Sequence, residues 1–239
     1  MNFRLGRRWI VWTLAAFAVA LVLFFPLRVA MDMALGRDAL LSARQVGGTV
    51  WSGRIGNAML GRERLGTFDV KLAPLPLFIG RTEVSVERLE DPDGPLTGRF
   101  FLSGPSEGVA SLTGRVNISG LVAPLPIDAL QFNDVDALFD GEACKSATGT
   151  ITAIPAAAVR YFTGEISGPV ACADDGRVVA TLSGPRGGAS VALFIDALGD
   201  TEAVLTVEGA SPLIGEALRA SGFSQDGSGW TLSSRGRLR

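Results

Sequence analysis

Histidine is absent from this 239-residue chain. That removes the commonest general base, the commonest zinc ligand and the usual third member of a nucleophilic triad. Two cysteines cannot complete a four-cysteine zinc site. There is a single tyrosine, Tyr161. Paired carboxylates remain open as catalysts, but nothing in the sequence places two of them in a shared apolar pocket, so no raised carboxylate pKa can be argued. The expectation is a protein that is not an enzyme and takes no metal or cofactor. Charge is nearly balanced, with 22 basic and 24 acidic residues. No basic stripe and no basic–aromatic interleaving follows the N-terminus, which argues against nucleic acid as a partner. Long apolar runs are lacking too, with one exception.

That exception opens the chain. Arg4, Arg7 and Arg8 precede an uncharged run from Trp9 to Leu27, and Arg28 closes it. Nineteen residues at about 1.5 Å rise span roughly 28 Å, close to a hydrocarbon core of about 30 Å. The basic residues on the N-terminal side predict a short cytoplasmic tail over 1–8, an anchor over 9–27 and the bulk of the chain across the membrane. The paired arginines are read as topology signals rather than as a twin-arginine leader. The competing reading is a signal peptide cut after Ala18-Val19-Ala20. Such a cut would leave Leu21-Val22-Leu23-Phe24-Phe25 as an apolar terminus, so the uncleaved anchor is preferred. Membrane lipid is then met through the anchor.

Residues 28–48 read as a helical stalk, rich in Ala, Leu, Met and Arg and stopped by Gly47-Gly48. Beyond it, over 49–239, the period changes to two. Phe68, Val70 and Leu72 alternate with Thr67, Asp69 and Lys71; Val84 and Val86 alternate with Glu83, Ser85 and Glu87. Arg115–Ser119, Arg177–Ser183 and Trp230–Ser233 repeat the pattern, while Val191–Asp196 and Ala203–Glu208 are less polar on the outer side. Each predicts a strand with one buried and one wet face. Four Asp-Gly pairs, at 93–94, 140–141, 175–176 and 226–227, are hairpin signals. Read as calcium loops, the acidic clusters lack EF-hand spacing. Short helices are expected at Pro155–Phe162 and Pro212–Ala220, where proline opens an apolar stretch. Ala73-Pro74-Leu75-Pro76-Leu77 returns fifty residues later as Ala123-Pro124-Leu125-Pro126-Ile127. Such echoes favour one extended or rolled sheet over two unrelated domains.

In a chain exported to an oxidising compartment, Cys144 and Cys172 are most economically one disulfide. The alternatives are two buried thiols or a redox pair, and the spacing is unlike C-x-x-C.

Taken in order, the N-terminal anchor, Gly48-Thr49-Val50-Trp51-Ser52-Gly53-Arg54, the Ala73–Leu77 stretch with Gly80-Arg81, and Phe139-Asp140-Gly141-Glu142-Ala143-Cys144 with Cys172 and Asp175-Gly176 resemble the type II secretion system protein N family. The resemblance covers nearly the whole chain. It implies a non-catalytic component of the inner-membrane platform that supports export of folded proteins from the periplasm across the outer membrane. Partners would be other type II secretion proteins, the secretin among the candidates. The location would be the bacterial inner membrane, single-pass, with a periplasmic antiparallel β-domain, curved or rolled, carrying one or two short helices. The family is also akin to AsmA-type β-groove proteins. That kinship supplies the alternative function: a periplasmic groove that binds or carries lipid, argued from fold analogy alone.

Trp51 is a candidate partner contact, since tryptophan is enriched at interface hot spots; otherwise it closes the sheet edge above the stalk. Leu75, Leu77 and Phe78 are candidate contacts in an apolar stretch broken by prolines; otherwise they belong to an edge strand or a packed loop. Phe100 and Phe101 are adjacent and face opposite sides of a strand. Phe101 and Phe194 are candidates for lining an apolar groove.

Overall fold

The structure is a computed structural model describing residues 7–34, 41–61, 63–88, 94–119, 125–156, 165–184, 188–210, 212–227 and 229–237. Two helices come first, α1 (Arg7–Leu23) and α2 (Leu27–Ala34). The strands are β1 (Leu41–Thr49), β2 (Ser52–Leu60), β3 (Glu63–Leu72), β4 (Arg81–Arg88), β5 (Leu96–Ser103), β6 (Ser106–Asn117), β7 (Ile127–Asp140), β8 (Ala143–Pro155), β9 (Ile166–Cys172), β10 (Val178–Ser183), β11 (Ala189–Ile195), β12 (Asp200–Glu208), β13 (Ser224–Asp226) and β14 (Gly229–Arg237). A single turn of helix, α3 (Pro74–Leu77), joins β3 to β4, and α4 (Pro212–Ala220) follows β12.

All fourteen strands belong to one antiparallel sheet, and each pairs with its neighbours in sequence. The one exchange is at the far edge, where β13 lies outside β14. The mainly β, antiparallel expectation holds, as does the helix at Pro212–Ala220. Asp140-Gly141 and Asp226-Gly227 close hairpins in which Asp140 faces Ala143 and Asp226 faces Gly229. Their glycines take the left-handed conformation, at φ 62° and 57°. Asp175-Gly176 joins β9 to β10 in the same way, with Gly176 at φ 84°. Asp93 lies outside the described residues. The disulfide expectation is met: Cys144 at the start of β8 is bonded to Cys172 at the end of β9, with Cα atoms 5.6 Å apart. The residues 157–162 of the other expected helix lie outside the described residues, and Pro155 ends β8.

Two boundaries are corrected. Of the helical stalk expected over 28–48, the part up to Ala34 is helix, residues 35–40 lie outside the described residues, and Leu41–Thr49 is a strand. Leu, Ala, Arg and Gln favour helix locally, but β1 pairs with β2 at eight positions from Leu41↔Leu60 to Thr49↔Ser52. Tertiary pairing thus overrides a weak propensity. The run 9–27 is not one helix. α1 ends at Leu23, Pro26 forms an isolated bridge with Thr49, and Leu27 starts α2 with 6% of its surface exposed. Proline has no N–H to continue the helix, and the residue before it is driven out of helical geometry.

One core runs along the sheet in two adjoining clusters. The first gathers Leu27, Ala58, Phe68, Val70 and Leu96. The second runs from Ile118 to Leu232, and Leu112 and Val116 of β6 pack against both. α4 covers part of the second. Its Leu218 is 2% exposed, and Gly215 lies so close to Trp230 that a Cβ would come within 2.8 Å of the indole.

Between β3 and β6 the sheet curls. Three places apart in a flat sheet, these strands would be about 14 Å from each other. Yet they touch, and Ser119 donates to Glu63 at 3.2 Å. The cause sits beneath them. Arg88, the last residue of β4, is fully buried and donates to three backbone carbonyls: Leu65 of β3 at 2.6 Å, Gly94 at 3.0 Å and Arg115 of β6 at 2.5 Å. The Phe68 ring lies 5.8 Å from its guanidinium carbon. Charge-assisted donors of fixed geometry suit this task, because three carbonyls from separate segments need three directed N–H groups. Arg88→Leu leaves those carbonyls without their donor, and is expected to cost about 3–5 kcal/mol in chemical denaturation. Arg88→Lys, a point donor in place of a fork, should recover only part of that loss.

Candidate functional site

The β1–β2 turn is built as a socket for the end of α1. A helix leaves its last carbonyls without intrahelical donors. Trp51 Nε1 donates to the Val22 carbonyl at 2.9 Å, and the Val50 amide donates to the Phe25 carbonyl at 3.0 Å. Leu27 then packs onto Gly53, where a Cβ would stand 2.5 Å from Leu27 Cδ2. Gly48 takes φ 85°, and a Cβ there would meet the Ser52 carbonyl at 2.6 Å. The two glycines and the tryptophan of Gly48–Gly53 are thus explained by one junction. Trp51 is half-buried, and its indole N–H is already engaged within the chain.

The β3–β4 connection emerges at the same end of the sheet. The Leu72 amide donates to the Val50 carbonyl at 2.9 Å, and the Ala73 amide to Glu83 at 2.8 Å. From there α3 presents bare apolar side chains: Leu75 is 78% exposed, Leu77 38%, Phe78 86% and Ile79 80%. All four belong to the apolar, proline-broken stretch in which a contact patch was the expectation. The echo of this stretch behaves differently, since Leu125 is 4% and Ile127 2% exposed, both in the core.

Phe101 and Phe194 are half-buried, each beneath a guanidinium. Arg81 lies 4.8 Å from the first ring centroid and Arg177 4.3 Å from the second. Phe101 pairs across β4 with Glu83, on the face opposite Val84. Phe100 pairs with Val84 on the core side, yet is 47% exposed, and Leu102 is 51% exposed. The apolar surface left open on the core side therefore includes Phe100, the neighbour of the residue expected there.

Two open hollows among the described residues are lined by charged side chains. One, of about 410 Å³, is lined by Arg177, Asp196, Asp200, Thr201, Glu202, Arg235 and Gly236. Here Arg177 joins Asp175 at 2.7 Å to Glu202 at 3.0 Å, Arg235 joins Glu202 at 2.9 Å, and Arg237 pairs with Asp200. Hydrogen bonds from Arg177, then Arg235, hold the Glu202 carboxyl below its ordinary value. The Arg237 hydrogen bond does the same for Asp200, and the Arg177 backbone and side chain do so for Asp175. Downward shifts are the direction of ion pairing, not of proton donation. This network has no local signal in the sequence, because Arg177 just ahead of β10, Glu202 of β12 and Arg235 of β14 are far apart along the chain. The other hollow, of about 440 Å³, adjoins the α1 junction and is lined by Arg28, Arg44, Arg54 and Asn57 among others. Arg54 donates to Asp69 and lowers its pKa. Among the described residues, no group of three or more His, Cys, Asp or Glu side chains is placed to hold a metal ion.

Compared with known families, residues 39–233 match the family model of type II secretion system protein N. The chain belongs to the type II secretion system protein N family. The match opens next to β1 and runs into β14, so the membership rests on the sheet and not on α1. It makes the protein a component of the type II secretion system. No curated protein and no solved structure matches the chain.

Two outcomes follow from the geometry. Gly53→Ala forces a Cβ into Leu27, and is expected to cost about 1–3 kcal/mol. It should also raise protease cleavage around Phe24–Leu27, read by limited proteolysis. In the ion-pair network, Glu202 has a folded-state pKa below its reference of 4.5. Its stabilising contribution is full above pH 4.5 and is lost as pH falls through the lowered value. Glu202→Gln should therefore flatten the acid limb of a stability-against-pH curve and leave the slope above pH 6 unchanged.

Proposed function

We propose that this family member is a non-catalytic, membrane-anchored accessory of type II secretion, working by surface contact rather than chemistry. Among the described residues no helix is long and apolar enough to cross a membrane. α1 has 17 residues, about 25 Å of helix and at the short end of what spans a bilayer. One observation carries the anchor reading nonetheless. Every side chain from Trp9 to Phe24 is exposed, including Trp9 and Trp12 at 71% and Phe17 at 61%. A helix that is apolar all round and touches the fold only at its C-terminal end needs an apolar surround. Phe24 and Phe25 lengthen the apolar stretch, and modest bilayer thinning accommodates the remainder. With the basic tail held in the cytoplasm, the sheet stands on the periplasmic side of the inner membrane.

Contacts with other secretion proteins would use the sheet's rim. β13 covers β14 only over Gly229–Thr231, so the arginine-bearing second half of β14 forms the outer margin. Strand addition and charge pairing are the modes such a rim supports. The rival reading, a groove that binds or carries lipid, is favoured by the exposure of Phe100 and Leu102 on the core side.

In-cell photo-crosslinking separates the two, with probes at Ser233 and Phe100. Discrete protein adducts at Ser233 that vanish when the other secretion components are deleted support the scaffold. Adducts confined to lipid at Phe100, with none to protein at either site, would replace it with the lipid carrier.

A further inference from the structure

We infer that the β3–β4 loop is a second membrane contact, in which Leu75, Leu77, Phe78 and Ile79 sit in the interfacial layer of the bilayer that holds α1. The inference rests on α1 being the anchor and goes beyond that reading by assigning a lipid-facing surface to the β-domain itself.

Position carries the argument. The end of α1 is hydrogen-bonded to the β1–β2 turn through Val22 and Phe25, and the same turn accepts the Leu72 amide at Val50. Two hydrogen bonds therefore separate the helix exit from the start of the loop, and α3 begins two residues beyond Leu72. Any bilayer enclosing α1 lies against this loop. Composition agrees. Four large apolar side chains point away from both core clusters, and exposed apolar patches of this kind mark contact surfaces. Lys71, exposed, flanks the patch. A basic residue with an apolar stem beside an apolar wedge suits the headgroup layer, where the charge reaches anionic phosphate while the stem stays in the apolar zone. The echo at Leu125 and Ile127 lies at the opposite end of the sheet and is buried. The same residue pattern is thus covered where water would meet it and bare where membrane would.

The test uses the full chain in vesicles of phosphatidylethanolamine and phosphatidylglycerol, with no other protein present. Nitroxide labels are placed one at a time at Phe78→Cys, at Phe17→Cys in α1, and at Gln225→Cys on the far end of the sheet. Power saturation then compares collision with oxygen, enriched in lipid, and with a water-soluble nickel chelate. The expected result is a strong preference for oxygen at Phe78, grouped with Phe17, and a preference for nickel at Gln225. Oxygen preference at Phe17 with nickel access at Phe78 overturns the loop contact and leaves the anchor standing. Nickel access at Phe17 overturns the anchor, and the loop contact with it. Protection at Phe78 accompanied by spin–spin broadening that disappears on dilution with unlabelled chain would mean a second copy covers the loop, and would also overturn the inference.

Discussion

Arg88 is the constraint on which the shape of the sheet depends. A guanidinium with no exposed surface must be satisfied by the protein, and here the partners are three backbone carbonyls from separate segments. A lone buried charge is costly unless fully hydrogen-bonded. Its burial therefore makes sense only when β3 and β6 close over the β4–β5 hairpin. The curl that results gives the first core cluster its enclosure, with no second sheet among the described residues to cover it. Phe68, part of that cluster, lies beside the same guanidinium. One side chain thereby links sheet curvature to core packing.

The two ends of the meander do different work. At the end that receives α1, backbone and side-chain donors are spent on the helix exit, and apolar side chains are left uncovered. At the other end, the corresponding apolar residues are drawn into the core and α4 packs across the sheet near Trp230. Farther along the helix-bearing end, the exposed surface is charged, and a chain of arginine–carboxylate pairs reaches from Arg177, just ahead of β10, across β11 to the neighbouring strands β12 and β14. Pairs this open to solvent add little each. Their shared Glu202 makes them a network, which orients the strand ends rather than supplying most of their stability.

Much of this was legible locally. Val84 and Val86 alternate with charged residues, and that alternation places β4 with its ends correct. Arg88 falls on the same side as those valines, so its inward direction is readable from the same alternation. The Asp-Gly turns and the proline-led α4 follow from backbone chemistry carried by two or three residues. β1 was not legible, since its composition favours helix and only its pairing with β2 makes it a strand. The break after Leu23 had a signal in Pro26, which the uniform hydropathy of the run obscured. The charged network had no sequence signal, because its members converge from the β9–β10 turn, β12 and β14.

What the amino-acid sequence determined by itself was what short-range physics controls: alternation that makes strands, glycine and aspartate that make turns, an apolar opening segment flanked by arginine, and two cysteines in a chain without histidine. What only the tertiary structure decided was which equivalent segments are covered. Ala73–Leu77 and Ala123–Ile127 are near copies, yet Leu75 is 78% exposed and Leu125 4%. Burial is a property of the surroundings and not of the residue. It depends on which end of a curled meander the segment reaches, and that is set by strand pairing and by a buried arginine summed over many contacts distant in sequence.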